Sequence, residues 1–120
     1  MSDQVIRQFG TGATRDTEVG KLDYEGFLSP LVLHRYAEYM NVHRKQKDGT
    51  LRDSDNWTKG IPQNVYMKSL VRHVMDLWLI RRGHKTIARE PIEETLAAIM
   101  FNVMGLLHEV LLGRDVGRQS

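Results

Sequence analysis

The chain has no cysteine, which excludes disulfides, thiolate metal sites and thiol nucleophiles and fits a cytoplasmic setting. Neither sign of charge dominates: 17 Lys and Arg stand against 15 Asp and Glu, for a formal net charge of +2. A binder of polymeric nucleic acid ordinarily carries a concentrated basic stripe, so no nucleic-acid polymer is expected as a partner. A small anion remains possible, since it needs only two or three well-placed cations. No apolar run approaches the roughly 18 residues of a membrane span, and the polar N-terminus lacks a signal-peptide core, so no membrane association is expected. The P-loop glycine pattern, the HExxH zinc motif and the Gly-x-Ser-x-Gly elbow are all missing. Gly10-Thr11-Gly12 lies in no strand-turn-helix context and carries no weight as a dinucleotide fingerprint.

What is there is a chain of 120 residues, 41% hydrophobic and 27% charged, enough for one core and too little for two. Residues 1–27 hold four glycines without a sustained period and read as an irregular arm with one short strand, anchored by Phe9, Leu22, Tyr24 and Phe27. Residues 28–112 read as a helical domain and 113–120 as a tail. Ser29-Pro30 is an N-cap serine followed by proline at the first helical position, opening a helix to about Lys45 with Leu33, Tyr36, Ala37 and Met40 as its apolar stripe. A second helix runs from Pro62 to about Arg82, ended by Gly83, with Tyr66, Leu70, Val74 and Leu77 toward the core. A third runs from about Pro91 to Leu112, with Glu93 and Glu94 in a first turn that favours acidic groups. Its apolar positions Ile92, Leu96, Ile99, Val103, Leu106 and Val110 repeat at helical spacing. The expected fold is all-α: three main helices in an antiparallel bundle. The wide apolar surface of the third helix predicts a homo-oligomer, a dimer or tetramer, that covers part of it.

Several polar residues sit beside these stripes. His34, Glu38 and Asn41 share one sector of the first helix and offer nitrogen and oxygen donors for a divalent cation; the same sector also reads as a solvated flank, with Glu38 paired to Arg35 or Arg44. On the second helix, His73 and Asp76 lie on adjoining turns and can share a metal or a water, or simply satisfy each other. Arg72 beside them suits phosphate oxygens. On the third, Thr95, Ala98, Asn102, Gly105 and Glu109 share a face that a helix or a ligand can approach closely, and a buried Asn102 would need hydrogen-bond partners. His108 and Glu109 are expected to be exposed. Between the first two helices lies LRDSDNWTKGIP, residues 51–62, where Trp57 is an unusual residue for a plain connector.

Three stretches together resemble a family: TGATRDTEVGKLDYEGFLSP, LRDSDNWTKGIP, and SLVRHVMDLWLIRRG with the downstream LAAIMFNVMGLLHE. Their order and spacing are similar to the phage and bacterial dATP/dGTP diphosphohydrolases, a branch of the MazG-like all-α nucleotide pyrophosphatases, over roughly residues 11–109. The resemblance implies Mg2+- or Mn2+-dependent cleavage of a purine deoxynucleoside triphosphate to monophosphate and pyrophosphate, in a bacterial or phage-infected cytosol. It implies metal ligands at Glu38 and Asp76, with His73 assisting them in catalysis. Arg15, Lys21, Lys59 and Arg72 would neutralise phosphates, Trp57 would stack on the base, and Asp16 or Asn56 would read its polar edge. The MazG-like pattern of Glu-x-x-Glu on one helix and Glu-x-x-Asp on another is incomplete here. Glu38-Tyr-Met-Asn41 supplies one carboxylate, and His73-Val-Met-Asp76 has His in place of Glu; placing the last motif on the third helix puts Ile99 and Asn102 at the ligand positions. Fewer carboxylates weaken affinity for hard cations, which leaves Glu94 as a further donor, or a non-catalytic nucleotide binder, as alternatives.

Overall fold

The computed structural model describes residues 6–117. Two short strands, β1 (Ile6–Gln8) and β2 (Thr14–Asp16), pair antiparallel with Ile6 opposite Asp16. A single helical turn, α1 (Tyr24–Phe27), precedes α2 (Pro30–Val42), α3 (Gln63–Arg81) and α4 (Ile92–Leu111), and a 3-10 turn spans Asn56–Lys59. The fold is all-α with a β-hairpin arm. The arm holds two strands rather than one, because hydrogen bonds from the Phe9 amide to the Ala13 carbonyl and from the Gly12 amide to the Phe9 carbonyl close a tight turn. Its apolar residues do not anchor it to the helices: Phe9, Leu22, Tyr24 and Phe27 are all exposed.

Each long helix begins where local chemistry allows it. The Ser29 hydroxyl accepts a hydrogen bond from the Val32 amide, with Pro30 at the first position. Helix α3 starts at Pro62, which offers no side-chain cap. A carboxylate from the far end of the chain supplies one instead, as the Gln63 amide donates to Asp115 Oδ1 at 2.9 Å. Helix α2 ends three residues before Lys45 because the chain turns back: Lys45 and Leu51 form an isolated bridge, and the Gln46 amide donates to the Thr50 carbonyl. This turn directs residues 52–57 back along α2.

Helices α3 and α4 pack antiparallel, with Tyr66 near the start of α3 against Gly105 and Phe101 on α4. Tyr66 is 1% exposed, and a Cβ at Gly105 would overlap its ring atoms. The face that α4 buries is the small and polar one, Thr95, Ala98, Asn102, Gly105 and Glu109, whereas its repeating apolar stripe leaves Leu96, Val103 and Val110 exposed. Val74 on α3 is likewise exposed, and Asp76 is buried in its stead. The physical reason is close approach: small side chains let the two helix axes come together, and the polar groups among them are paired. Asn102 Nδ2 donates to the Ala98 carbonyl at 2.8 Å. Glu109, expected at the surface, is 0% exposed, because Arg114 folds back and donates to both of its carboxylate oxygens at 2.9 Å.

Helix α4 is also long and apolar enough, by length and composition alone, to cross a membrane. That revises the sequence reading on apolar runs. Its packing on α3 through Gly105 and Phe101, against Tyr66, is that of a bundle helix.

Candidate functional site

The arrangement of α3 against the connector before α4 creates a cluster that neither segment contains alone. His73 and Asp76 lie one turn apart on α3, and the chain after Gly83 returns to bring Arg89 and Glu90 over them. His73 Nδ1 is 3.3 Å from Glu90 Oε1 and 3.9 Å from Asp76 Oδ2. The donor atoms of His73, Asp76 and Glu90 all lie within 4.8 Å of one another. His73 Nδ1 is buried, and its 3.3 Å separation from Glu90 lacks hydrogen-bond alignment, so it has no hydrogen-bond partner. Burial also holds the His73 imidazole below its ordinary pKa, against an upward pull from Glu90. A neutral imidazole with an unengaged nitrogen, set beside two carboxylates, is a donor set that fits a divalent cation.

Arg89 competes for part of this cluster. Its Nε and Nη2 donate to Asp76 Oδ2 at 2.9 and 2.6 Å, and the hydrogen bond holds the Asp76 carboxyl below the usual carboxylate range despite its burial. Asp76 Oδ2 is therefore already charge-neutralised, and a cation at the cluster has to share Asp76 with Arg89 or displace it.

Next to the cluster is a cleft of about 630 Å³ between α2, α3, α4 and the 52–57 segment. His73 belongs to both. Tyr36, Tyr39, Trp57 and Phe101 give the cleft aromatic walls, and Arg44, Arg52, Asn41, Asn56 and Asn102 give it polar ones. The Arg44 Nε donates to the Arg52 carbonyl at 2.8 Å, and its Nη1 reaches Asn41 Oδ1 at 3.4 Å, fixing the 52–57 segment against α2. Tyr39, buried and facing the carboxylates of Glu90 and Glu94, has its phenol pushed up to about 12 and stays protonated. The Tyr36 hydroxyl is buried without a partner. The Trp57 ring meets the His108 ring edge-on, centroids 4.8 Å apart.

The structure brings together some of the sequence-predicted site residues and separates others. His73, Asn56 and Trp57 line the cleft, and Asp76 adjoins it through His73. Glu38 is exposed on α2, 3.8 Å from His34 Nε2 and outside the His73 cluster. Arg72 and Lys59 are exposed and do not line the cleft. Arg15 and Asp16 sit on β2 in the hairpin arm, where the Asp16 carbonyl accepts from Arg7 Nε, and Lys21 lies on the exposed turn that follows. Glu94 pairs with Arg35 at 3.6 Å. Sequence reasoning missed Glu90 and Arg89, which lie on a connector with no pattern of its own, and it missed Arg44. Arg52 and Asp53, in the connector between α2 and α3, also line the cleft.

Comparison with known protein families, with curated proteins and with solved structures finds no match. What the site can do is therefore argued from its chemistry: a buried His/Asp/Glu cluster capable of coordinating a divalent metal, opening onto an aromatic and basic cleft.

Proposed function

We propose that the chain is a divalent-metal-dependent nucleoside triphosphate pyrophosphohydrolase acting on purine deoxynucleotides, as its resemblance to the MazG-like dATP/dGTP diphosphohydrolases implies. The observation that carries this reading is that His73 is shared between the His73–Asp76–Glu90 cluster and a cleft walled by Trp57, Arg44 and Arg52. In the reaction, a water oxygen bonds to the α-phosphorus, the bond from that phosphorus to the α–β bridging oxygen breaks, and pyrophosphate leaves with the electron pair. His73, Asp76 and Glu90 would hold the cation, which supplies neutralisation of polyphosphate charge and Lewis-acid activation at the α-phosphorus. The chain's own side chains orient the substrate. Arg44 and Arg52 offer guanidinium groups to phosphate oxygens. Trp57, with Tyr36 and Tyr39 across the cleft, suits a planar base, and Asn56 and Asn102 carry the amides that would meet its polar edge. Asp76 and Glu90 suit Mg2+ or Mn2+ through their oxygens, and the His73 nitrogen disfavours Mg2+, which demands a near-ideal octahedron and dehydrates reluctantly.

A second reading is favoured by Arg89, which already neutralises Asp76: a nucleotide binder without turnover. One experiment separates the two. The protein is incubated with each dNTP and Mn2+ or Mg2+, and products are resolved by anion exchange. Stoichiometric monophosphate and pyrophosphate that vanish in Asp76→Asn and Glu90→Gln support the hydrolase. Nucleotide binding that is indifferent to chelator, with no product, rejects it in favour of the binder.

A further inference from the structure

Trp57 walls the cleft from the short 3-10 turn Asn56–Lys59, which has little to hold it in place by itself. One turn of 3-10 helix orders several residues for few hydrogen bonds, and Asp55 before it offers no side-chain cap. The bonds within the turn are local. The Thr58 amide and hydroxyl both donate to the Asp55 carbonyl, and the Gly60 amide donates to the Trp57 carbonyl. They fix the shape of the turn and leave its position to the rest of the chain.

That position is set by the end of α4 and the segment after it, which the sequence presents as a tail. Arg114 Nη2 donates to the Thr58 carbonyl at 2.9 Å, while the same guanidinium holds both Glu109 oxygens at 2.9 Å. Glu109 is completely buried, so the turn is tied through Arg114 to the interior of α4. At the next residue Asp115 caps Gln63 at the start of α3, and the Arg114 carbonyl accepts from Gln63 Nε2 at 3.0 Å. Val116 lies against Gly60, where a Cβ would come within 2.9 Å of Val116 Cγ2. A glycine there permits both this approach and the φ of +112°. His108 meets the Trp57 ring edge-on. These tethers reach Trp57 itself, the residue after it and Gly60, yet none of His108, Arg114, Asp115 and Val116 lines the cleft. The guanidinium is what makes the double contact possible. A lysine ammonium is a point charge that can answer Glu109, whereas the planar fork serves a carboxylate and a carbonyl together.

We infer that Arg114 is a positioning residue for the cleft: by joining the buried Glu109 to the Thr58 carbonyl, it sets the Trp57 wall on which a planar ligand stacks. That the ligand is a nucleotide rests on the hydrolase reading above; that Arg114 sets the wall does not. The chain has two tryptophans, and Trp78 is exposed on α3 and does not line the cleft, so Trp78→Phe leaves Trp57 as the sole reporter. In that background Arg114→Lys keeps a cation for Glu109 and removes the fork. Helical circular dichroism should be unchanged, while Trp57 in the ligand-free protein should emit at longer wavelength and be quenched more readily by acrylamide. Amide hydrogen exchange should quicken in residues 52–61 and keep its parental rate in α3 and α4. With Mg2+, the α,β-methylene analogue of dATP, which lacks the scissile P–O bond, should bind at least about 5-fold more weakly, the low end of one lost stacking contact. If Arg114→Lys fails to fold, Val116→Ala, which loosens the contact at Gly60 and leaves the Glu109 charge paired, should give the same emission shift and the same local exchange. Unchanged Trp57 emission and quenching in the variant that folds overturns the proposal, and so does exchange that quickens throughout α3 and α4, which marks general loosening. A parent protein without affinity for the analogue, whose Trp57 signal still moves in Arg114→Lys, rejects the nucleotide reading and upholds the positioning role.

Discussion

Replacing Gly105 with alanine probes the close approach of α3 and α4. In an ordinary mid-helix position this substitution stabilises by about 1 kcal/mol, because glycine loses more backbone entropy and lacks helix propensity. Here the added methyl would overlap the ring of Tyr66, which is almost completely buried and also packed on Phe101 at 5.8 Å between centroids. The ring has little room to yield, so either the two helices separate or Tyr66 leaves its rotamer, and overpacking of this kind costs about 1–3 kcal/mol net. Since the propensity gain must first be cancelled, the steric term itself is about 2–4 kcal/mol. Urea unfolding followed by circular dichroism, at one fixed protein concentration so that association does not enter the comparison, should show a lower midpoint with an unchanged slope. The thermal midpoint should fall by several degrees, at about 4 °C or more per kcal/mol for a chain of this size. In a Tyr66→Ala background the sign should reverse, with alanine at 105 stabilising by about 1 kcal/mol, so the double-mutant cycle isolates the pair. If Gly105→Ala alone stabilises the protein, the close approach and the packing argument built on it are both mistaken.

Four further outcomes follow from the same structure. Arg89→Ala strips Asp76 of both its hydrogen bonds and leaves a buried carboxylate unpaired, a loss of about 3–5 kcal/mol, yet isothermal titration should show tighter Mn2+ binding, because the competing guanidinium is gone. Glu90→Gln should weaken Mn2+ binding by about tenfold or more without a comparable loss of stability, since Glu90 is only partly buried; unchanged affinity would remove Glu90 from the cation site. The metal-free protein should lose stability on mild acidification. Burial holds His73 below its ordinary 6.5, so the unfolded chain takes up the proton first, and the contribution of neutral His73 is complete above pH 6.5 and falls away below it. Asp76, depressed from 3.8 by Arg89, adds a second loss only below that value; thermal melts of His73→Gln should flatten between pH 7 and 5, and a slope equal to the wild type's would refute the assignment. Trp57→Ala should raise the dissociation constant for a purine nucleotide by about 5- to 150-fold, the range of one lost stacking contact, with helical content unchanged.

The helices were legible because their ends are written locally. Ser29-Pro30, Pro62, Gly83, Pro91 and Gly113 punctuate the chain by rules that need no tertiary information, and the observed bounds differ from the expected ones by a residue or two, apart from the early end of α2. The faces were harder. Apolar periodicity on α4 marked residues that share a face, of which Leu96, Val103 and Val110 are exposed; periodicity reports a common face, not what that face meets. The competing signal was also present, since Thr95, Ala98, Asn102, Gly105 and Glu109 run 3-4-3-4 and mark a face made for close approach. Choosing between the two stripes requires knowing that Arg114 returns to neutralise Glu109, a contact between a helix and the segment beyond it. The candidate site divides in the same way. His73 and Asp76 were legible at i and i+3 on one helix, whereas Glu90 sits 14 residues past Asp76 on an unpatterned connector, and only the α3–α4 turn brings it within 3.3 Å of His73.

An inside lined by Thr95, Asn102, Asp76 and Glu109, with the larger apolar side chains outside, has an energetic consequence. Burial of Tyr66, Ala97 and Ala98 removes little apolar surface from water, and the hydrogen bonds and ion pairs that accompany it contribute modest net free energy each. Such an interior holds the two helices in one register more effectively than it drives them to collapse. The dominant favourable term in folding, removal of apolar surface from water, remains unspent on Met67, Val71, Trp78, Val103 and Leu107, and it is recovered only if a second surface covers them. A second copy that covers them would add to stability, so the unfolding midpoint should rise with protein concentration. The His73–Asp76–Glu90 cluster joins the same linkage, because a cation that binds only the folded arrangement stabilises it in proportion to the logarithm of its concentration. Chelation and dilution should then act additively on the melting temperature. A midpoint indifferent to hundredfold dilution would show instead that α3 and α4 are stable as a single hairpin, and the outer face would need a different explanation.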